Sequence, residues 1–101
     1  MAKYDTPEKV MMHVQQTGMK KGTLWRRGKT VRYLHGLQTL RGDDLFVVYA
    51  TMRSWKKARK GGSLSVTAKN VTTEDTFDWF ANATQVKYNE ELDVFEDMGD
   101  E

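Results

Sequence analysis

The stretch Asp44-Leu45-Phe46-Val47-Val48-Tyr49-Ala50-Thr51-Met52 is the most apolar run in the chain, and it sets the first condition on any fold. Along a strand, successive side chains point to opposite faces. Leu45, Val47, Tyr49 and Thr51 then share one face, and Phe46, Val48, Ala50 and Met52 the other. Both sets are apolar, so the strand has to be covered on both sides. A helix on one face and a curled sheet on the other would meet that condition. Charge flanks the run, with Arg41-Gly42-Asp43 before it and Arg53-Ser54-Trp55-Lys56-Lys57-Ala58-Arg59-Lys60-Gly61-Gly62 after it.

A chain of 101 residues provides for one domain with a modest core. Domains this small bury roughly 60–70% of the surface exposed by the unfolded chain. The sequence has no cysteine, so there is no disulfide framework and no thiolate chemistry, as befits a reducing compartment. Residues 1–20 lack the apolar core of a signal peptide, and no run of about 18 apolar residues occurs. The expectation is a soluble, cytoplasmic protein without a membrane partner.

The helix signals are local. Thr6-Pro7-Glu8 combines a hydroxyl cap, a first-turn proline and an acid at the positive end of the helix dipole. Val10, His13, Val14 and Thr17 follow at helical spacing, Met11 and Met12 widen the stripe, and Gly18 suits a left-handed cap. The spacing predicts a helix over 6–17, with His13 as a packed or boundary residue. Thr72-Thr73-Glu74-Asp75 repeats the start signal, and Phe77, Phe80, Ala81 and Thr84 form a face with Trp79 and Ala83 at its edge. That predicts a second helix over 73–84.

All but the last of the strand signals lie between the two helices. Thr23 to Arg27 and Thr30 to Leu37 flank Gly28-Lys29, a tight-turn pair, and read as a hairpin. Val31, Tyr33, His35 and Leu37 fall on one face of the second strand, and Arg32, Leu34 and Gly36 on the other. Arg53 to Lys60 reads as a cationic loop. Ser63 to Val71 alternates, with Leu64, Val66 and Ala68 inward. Gln85 to Tyr88 reads as a short last strand. These elements predict an α+β domain over residues 1–89, built on a small antiparallel sheet of four to five strands. The sheet can curl into a partial SH3-like or OB-like barrel or remain a flat meander. Residues 90–101 read as a flexible acidic tail or a frayed helix.

Lys21-Gly22-Thr23-Leu24-Trp25, the Gly28-Lys29 turn, Val31-Arg32-Tyr33 and Leu45-Phe46-Val47-Val48-Tyr49 together resemble small SH3-like barrel domains of unknown function from phage and bacterial genomes. The resemblance covers residues 21–52. It implies a barrel and a phage or bacterial origin, and assigns no functional residue.

Motifs for chemistry are incomplete. Arg27-Gly28-Lys29-Thr30 matches the end of a phosphate loop, but Thr23 stands where the first glycine is needed, and a strand pattern follows where a helix should. His13 and His35 are far apart and no cysteine is present, which argues against a closed zinc site. The best catalytic pair is His35 with Asp43 or Asp44, which reads more simply as a buried histidine and a turn aspartate. The chain therefore reads as a non-enzyme without metal or cofactor.

Charge is the strongest signal. Residues 1–62 hold 14 Lys+Arg against 4 Asp+Glu, a difference of +10, and residues 63–101 hold 2 against 10, a difference of −8. The candidate binding cations are Lys20, Lys21, Arg26, Arg27, Lys29 and Arg32 around the hairpin, and Arg53, Lys56, Lys57, Arg59 and Lys60 after the apolar run. Trp25, Tyr33, Tyr49 and Trp55 are interleaved with them, with Trp25, Tyr33 and Trp55 as the stacking or interface residues. The tail offers Glu90, Glu91, Asp93, Phe95, Glu96 and Asp97, which could fold back on the basic face. If the cations gather on one side, they form a docking surface. Such a surface fits a modulator that attaches to another protein, such as a phage protein acting on a host factor. The rival is a nucleic-acid accessory protein that prefers single strands, with cations on phosphates, aromatics on bases and a self-masking tail.

Overall fold

The computed structural model describes residues 6–42, 44–71 and 76–97, and it places the apolar run in an open six-stranded sheet. The elements are α1 (Pro7–Thr17), β1 (Thr23–Arg27), β2 (Thr30–Arg41), β3 (Asp44–Thr51), α2 (Met52–Arg59), β4 (Thr67–Asn70), α3 (Thr76–Ala81), β5 (Thr84–Asn89) and β6 (Val94–Asp97). The strand order is β4-β3-β2-β1-β5-β6, antiparallel throughout. The first four strands form a meander. The chain then passes through α3 to place β5 on the free edge of β1. The edges β4 and β6 do not pair, so the sheet is not closed into the expected SH3-like or OB-like barrel.

The expected α+β class holds, and two-sided coverage of β3 comes from helices on both faces. On one face Trp25, Leu34, Leu45 and Val47 pack with Val10 of α1 and with Phe77 and Phe80 of α3. On the other, Leu24, Ala50 and Val86 lie on the side that α2 covers through Trp55, whose ring meets Tyr33 at 6.4 Å. A β-bulge sets this division. Leu34 pairs with Tyr49, but Gly36 pairs with Val48, so β2 spends an extra residue, His35, on one step of β3. Leu34 and Leu37 therefore share the core face, contrary to strict alternation. His35 is exposed rather than buried, so the reading of it as a core residue is corrected.

Helix ends follow local chemistry. Thr6 accepts from the Lys9 N–H, and Gly18 takes φ 72° as its N–H donates to the Val14 carbonyl. Val10 is buried, whereas Met11 and Met12 are exposed and do not widen the packed stripe. Thr51 ends β3 and caps α2 by accepting from the Ser54 N–H. The far end closes as Gly61 donates to the Ala58 carbonyl and Gly62 to the Lys57 carbonyl, with Gly61 at φ +100°. The expected loop over 53–60 is thus largely helix. Beyond it, β4 is shorter than the expected strand. Residues 63–66 precede it, and Val66 (44%) and Ala68 are exposed rather than inward. The Ser54 hydroxyl holds this connection by donating to the Ser65 carbonyl and accepting from its N–H, both at 2.9 Å.

At the C-terminal side, β5 and β6 form a hairpin pairing Tyr88 with Phe95. Residues 94–97 are therefore a strand of the sheet and 90–93 the turn that leads into it, where the sequence pattern suggested a tail. Helix α3 ends at Ala81, and Thr84 begins β5. The expected cap over 72–75, the terminus at 1–5, Asp43 and residues 98–101 lie outside the described residues.

Phe80→Ala, at a residue 0% exposed, should lower unfolding free energy by about 3–5 kcal/mol. Met12→Ala, at 59% exposure, should change it by no more than about 0.5 kcal/mol. Urea denaturation of the two variants checks both values.

Candidate docking surface

The candidate binding cations fall into two groups, those that pair with acids of the hairpin and those without an ion pair among the described residues. Helix α2 carries Trp55 and Arg59 at i and i+4, and the Arg59 guanidinium lies 4.9 Å from the Trp55 ring centroid. Trp55 also meets Tyr88 at 5.3 Å and Phe95 at 6.1 Å, so the hairpin packs on α2 through rings. Around these rings three ion pairs form: Arg59 with Glu90, Lys56 with Asp93 at 3.2 Å, and Arg26 with Asp97. Arg26 also donates to the Phe95 carbonyl at 3.4 Å. A cavity of about 320 Å³ lined by Lys56, Arg59, Lys60, Tyr88, Glu90 and Asp93 is therefore bordered by both signs of charge.

Asp93 is the hub of the hairpin turn, at φ 54°. Its carboxylate accepts from the Tyr88 hydroxyl at 2.6 Å and from the Lys56 ammonium. The Tyr88 hydrogen bond, followed by that of Lys56, holds the Asp93 carboxyl below its ordinary value. The same Tyr88–Asp93 bond raises the Tyr88 phenol above its ordinary value. Asn89 fixes the turn from the other side, accepting from the Leu92 N–H at 3.2 Å and donating to Glu96 at 3.1 Å.

The remaining cations do not converge on one side. Lys20 and Lys21 precede β1, and Lys21 borders a groove of about 460 Å³ with Tyr33, His35 and Gln38. Lys57 and Lys60 lie at the C-terminal end of α2. Arg27 and Lys29 occupy the β1–β2 turn region, with Arg32 on β2 and Arg53 in the first turn of α2. None of these eight forms an ion pair with a carboxylate among the described residues. The expectation of one continuous basic side is thus corrected. Arg32 faces α3, whereas Lys56 and Arg59 lie over the Tyr88 ring beside α2, so the candidate cations are spread over both faces of the sheet rather than along one continuous side.

The aromatic candidates are used for packing. Trp25 is 8% exposed, and its indole N–H donates to the Thr23 hydroxyl at 2.7 Å. Tyr33 and Trp55 pack together under α2. The Arg32 guanidinium lies 4.9 Å from the ring of Tyr49, one of the aromatics interleaved with the cations, and 4.5 Å from that of Trp79, which the sequence pattern missed. Alternation could have placed Arg32 beside Tyr49, but the approach of Trp79 depends on the long crossing into α3. Compared with family models, with curated proteins and with solved structures, the chain gives no match.

A lowered carboxyl contributes stability above its unfolded value, and that contribution is lost as pH falls through the folded value. For Asp93 the loss lies below pH 3.8. Asp93→Asn should therefore reduce the change in the Tyr88 and Phe95 NMR signals across that acid window, relative to the wild type.

Proposed function

We propose that this protein is a small non-enzymatic docking module that attaches to another protein through its open cationic patches. The reading is carried by one observation. Arg27, Lys29, Arg32 and Arg53 are left without a carboxylate among the described residues, although the hairpin supplies acids to Arg26, Lys56 and Arg59. A cationic patch attracts an acidic partner and speeds its encounter. The rings most needed for stacking on bases favour a protein target over a single strand. Trp25 is buried, and Trp55 is packed among Tyr33, Tyr88 and Phe95. Single-strand binding commonly relies on open aromatic faces along a continuous basic groove.

Capture from nuclease-treated lysate tests the reading. The immobilised chain should retain a discrete protein after nuclease treatment. Raising salt from about 0.1 M to about 1 M cuts the screening length from about 10 Å to about 3 Å, and should release it. Loss of every bound protein on nuclease treatment would instead favour the nucleic-acid reading.

A further inference from the structure

We infer that the end of the sheet at the β1–β2 turn is a receptor for an acidic peptide segment, with carboxylates on Arg27, Lys29 and Arg32 and an adjacent apolar side chain in the neighbouring groove. This assignment rests on the docking reading and names its surface and partner chemistry. Arg27 pairs with Thr30 across the hairpin and Arg32 with Trp25, which makes the two arginines diagonal neighbours on one face. Lys29 lies in the turn between them.

Arg32 is the prepared element. Its guanidinium lies near both the Tyr49 and Trp79 rings, at 4.9 and 4.5 Å, and it makes no hydrogen bond to an acceptor among the described residues. Ring contacts restrict the guanidinium while leaving its N–H groups for a carboxylate, which they match two at a time. A side chain already restricted loses less freedom on binding.

The apolar component lies around the end of the sheet, on the α2 side, because Val31 faces opposite to Arg32. Lys29 and Arg32 help line a groove of about 470 Å³ whose other walls include Val31, Met52 and Phe95. That volume accommodates a peptide side chain. The surroundings favour a peptide over a polyphosphate chain. Val31 is paired with Arg26, and Arg26 holds Asp97, so a carboxylate already borders this side of the hairpin. A ligand with isolated carboxylates can avoid it, whereas a continuous row of phosphates is repelled. The Phe95 ring meets Trp55 and Tyr88, and one side of Trp79 meets Arg32, so neither offers two free faces to a base.

The test is an NMR titration of the isotopically labelled full chain with an acetylated hexapeptide of alternating glutamate and leucine. The glutamine–leucine analogue and a short oligothymidylate serve as comparisons. The glutamate peptide should shift the Arg32 side-chain N–H and the backbone signals of Lys29, Thr51 and Phe95. Arg32→Gln should weaken it at least about tenfold, the scale of a lost charged hydrogen bond. Arg27→Gln with Lys29→Gln should also weaken it while leaving the remaining spectrum in place, since both residues are exposed. This pair keeps the test valid if Arg32→Gln disturbs the Trp79 packing. No shift with the glutamate peptide, equal binding of the glutamine analogue, or tighter binding of oligothymidylate at these residues would overturn the assignment. Those outcomes leave the docking reading to the nuclease-treated capture, so the two failures are distinguishable.

Discussion

Val47 and Val48 are neighbours in the chain, face opposite ways, and are both nearly excluded from water, at 0% and 4% exposure. A strand made this way is stable only between two layers, because each exposed face would forfeit the hydrophobic gain of burial. The chain supplies the layers unequally. Helices α1 and α3 bring Val10, Phe77 and Phe80 to one face, and most of the closely packed core lies there. The opposite face receives the short α2, with no fully buried residue of its own, and Trp55 makes much of the contact. The acidic hairpin then completes the thinner layer with Tyr88 and Phe95.

That arrangement explains the fate of the two charged halves. The cations of α2 lie around Trp55 because they occupy the same helix. The acids of the hairpin lie around Tyr88 and Phe95 for the same reason. Packing the rings together brings Lys56 and Arg59 to Asp93 and Glu90. Exposed ion pairs contribute little by themselves and are screened by salt. The β1–β5 ladder and ring packing are therefore the main attachment, with charge selecting its alignment. The basic chemistry around the β1–β2 turn is among what is left over electrostatically.

Much of the architecture was legible where one local signal acted alone. Thr6-Pro7 and Gly18 bound α1 with little room for another reading, and Gly28-Lys29 turns β1 into β2. Sequence reading failed where signals competed. Thr51, the basic last turn and Gly61-Gly62 all mark a helix, but the density of charge between them resembles a solvated loop. His35 cannot be recognised as an extra residue by alternation, because the shift is visible only against the pairing of β3. Val94 to Asp97 is too acidic to read as a strand until Tyr88 and Phe95 are opposite each other. The site was partly legible in the same way. Its cations could be named from the sequence, but their division depends on contacts between residues 30 or more positions apart.

The open sheet ends in two short strands, β4 and β6, each four residues long. An unfinished sheet margin can recruit another chain as its next strand, the first step toward insoluble fibres. At the β6 margin, Glu96 and Asp97 set like charges against an identical margin from a second copy. The carboxylates that complete this domain also help keep neighbouring molecules apart in a crowded solution. Neutralising them would affect colloidal behaviour as well as the packing of the hairpin.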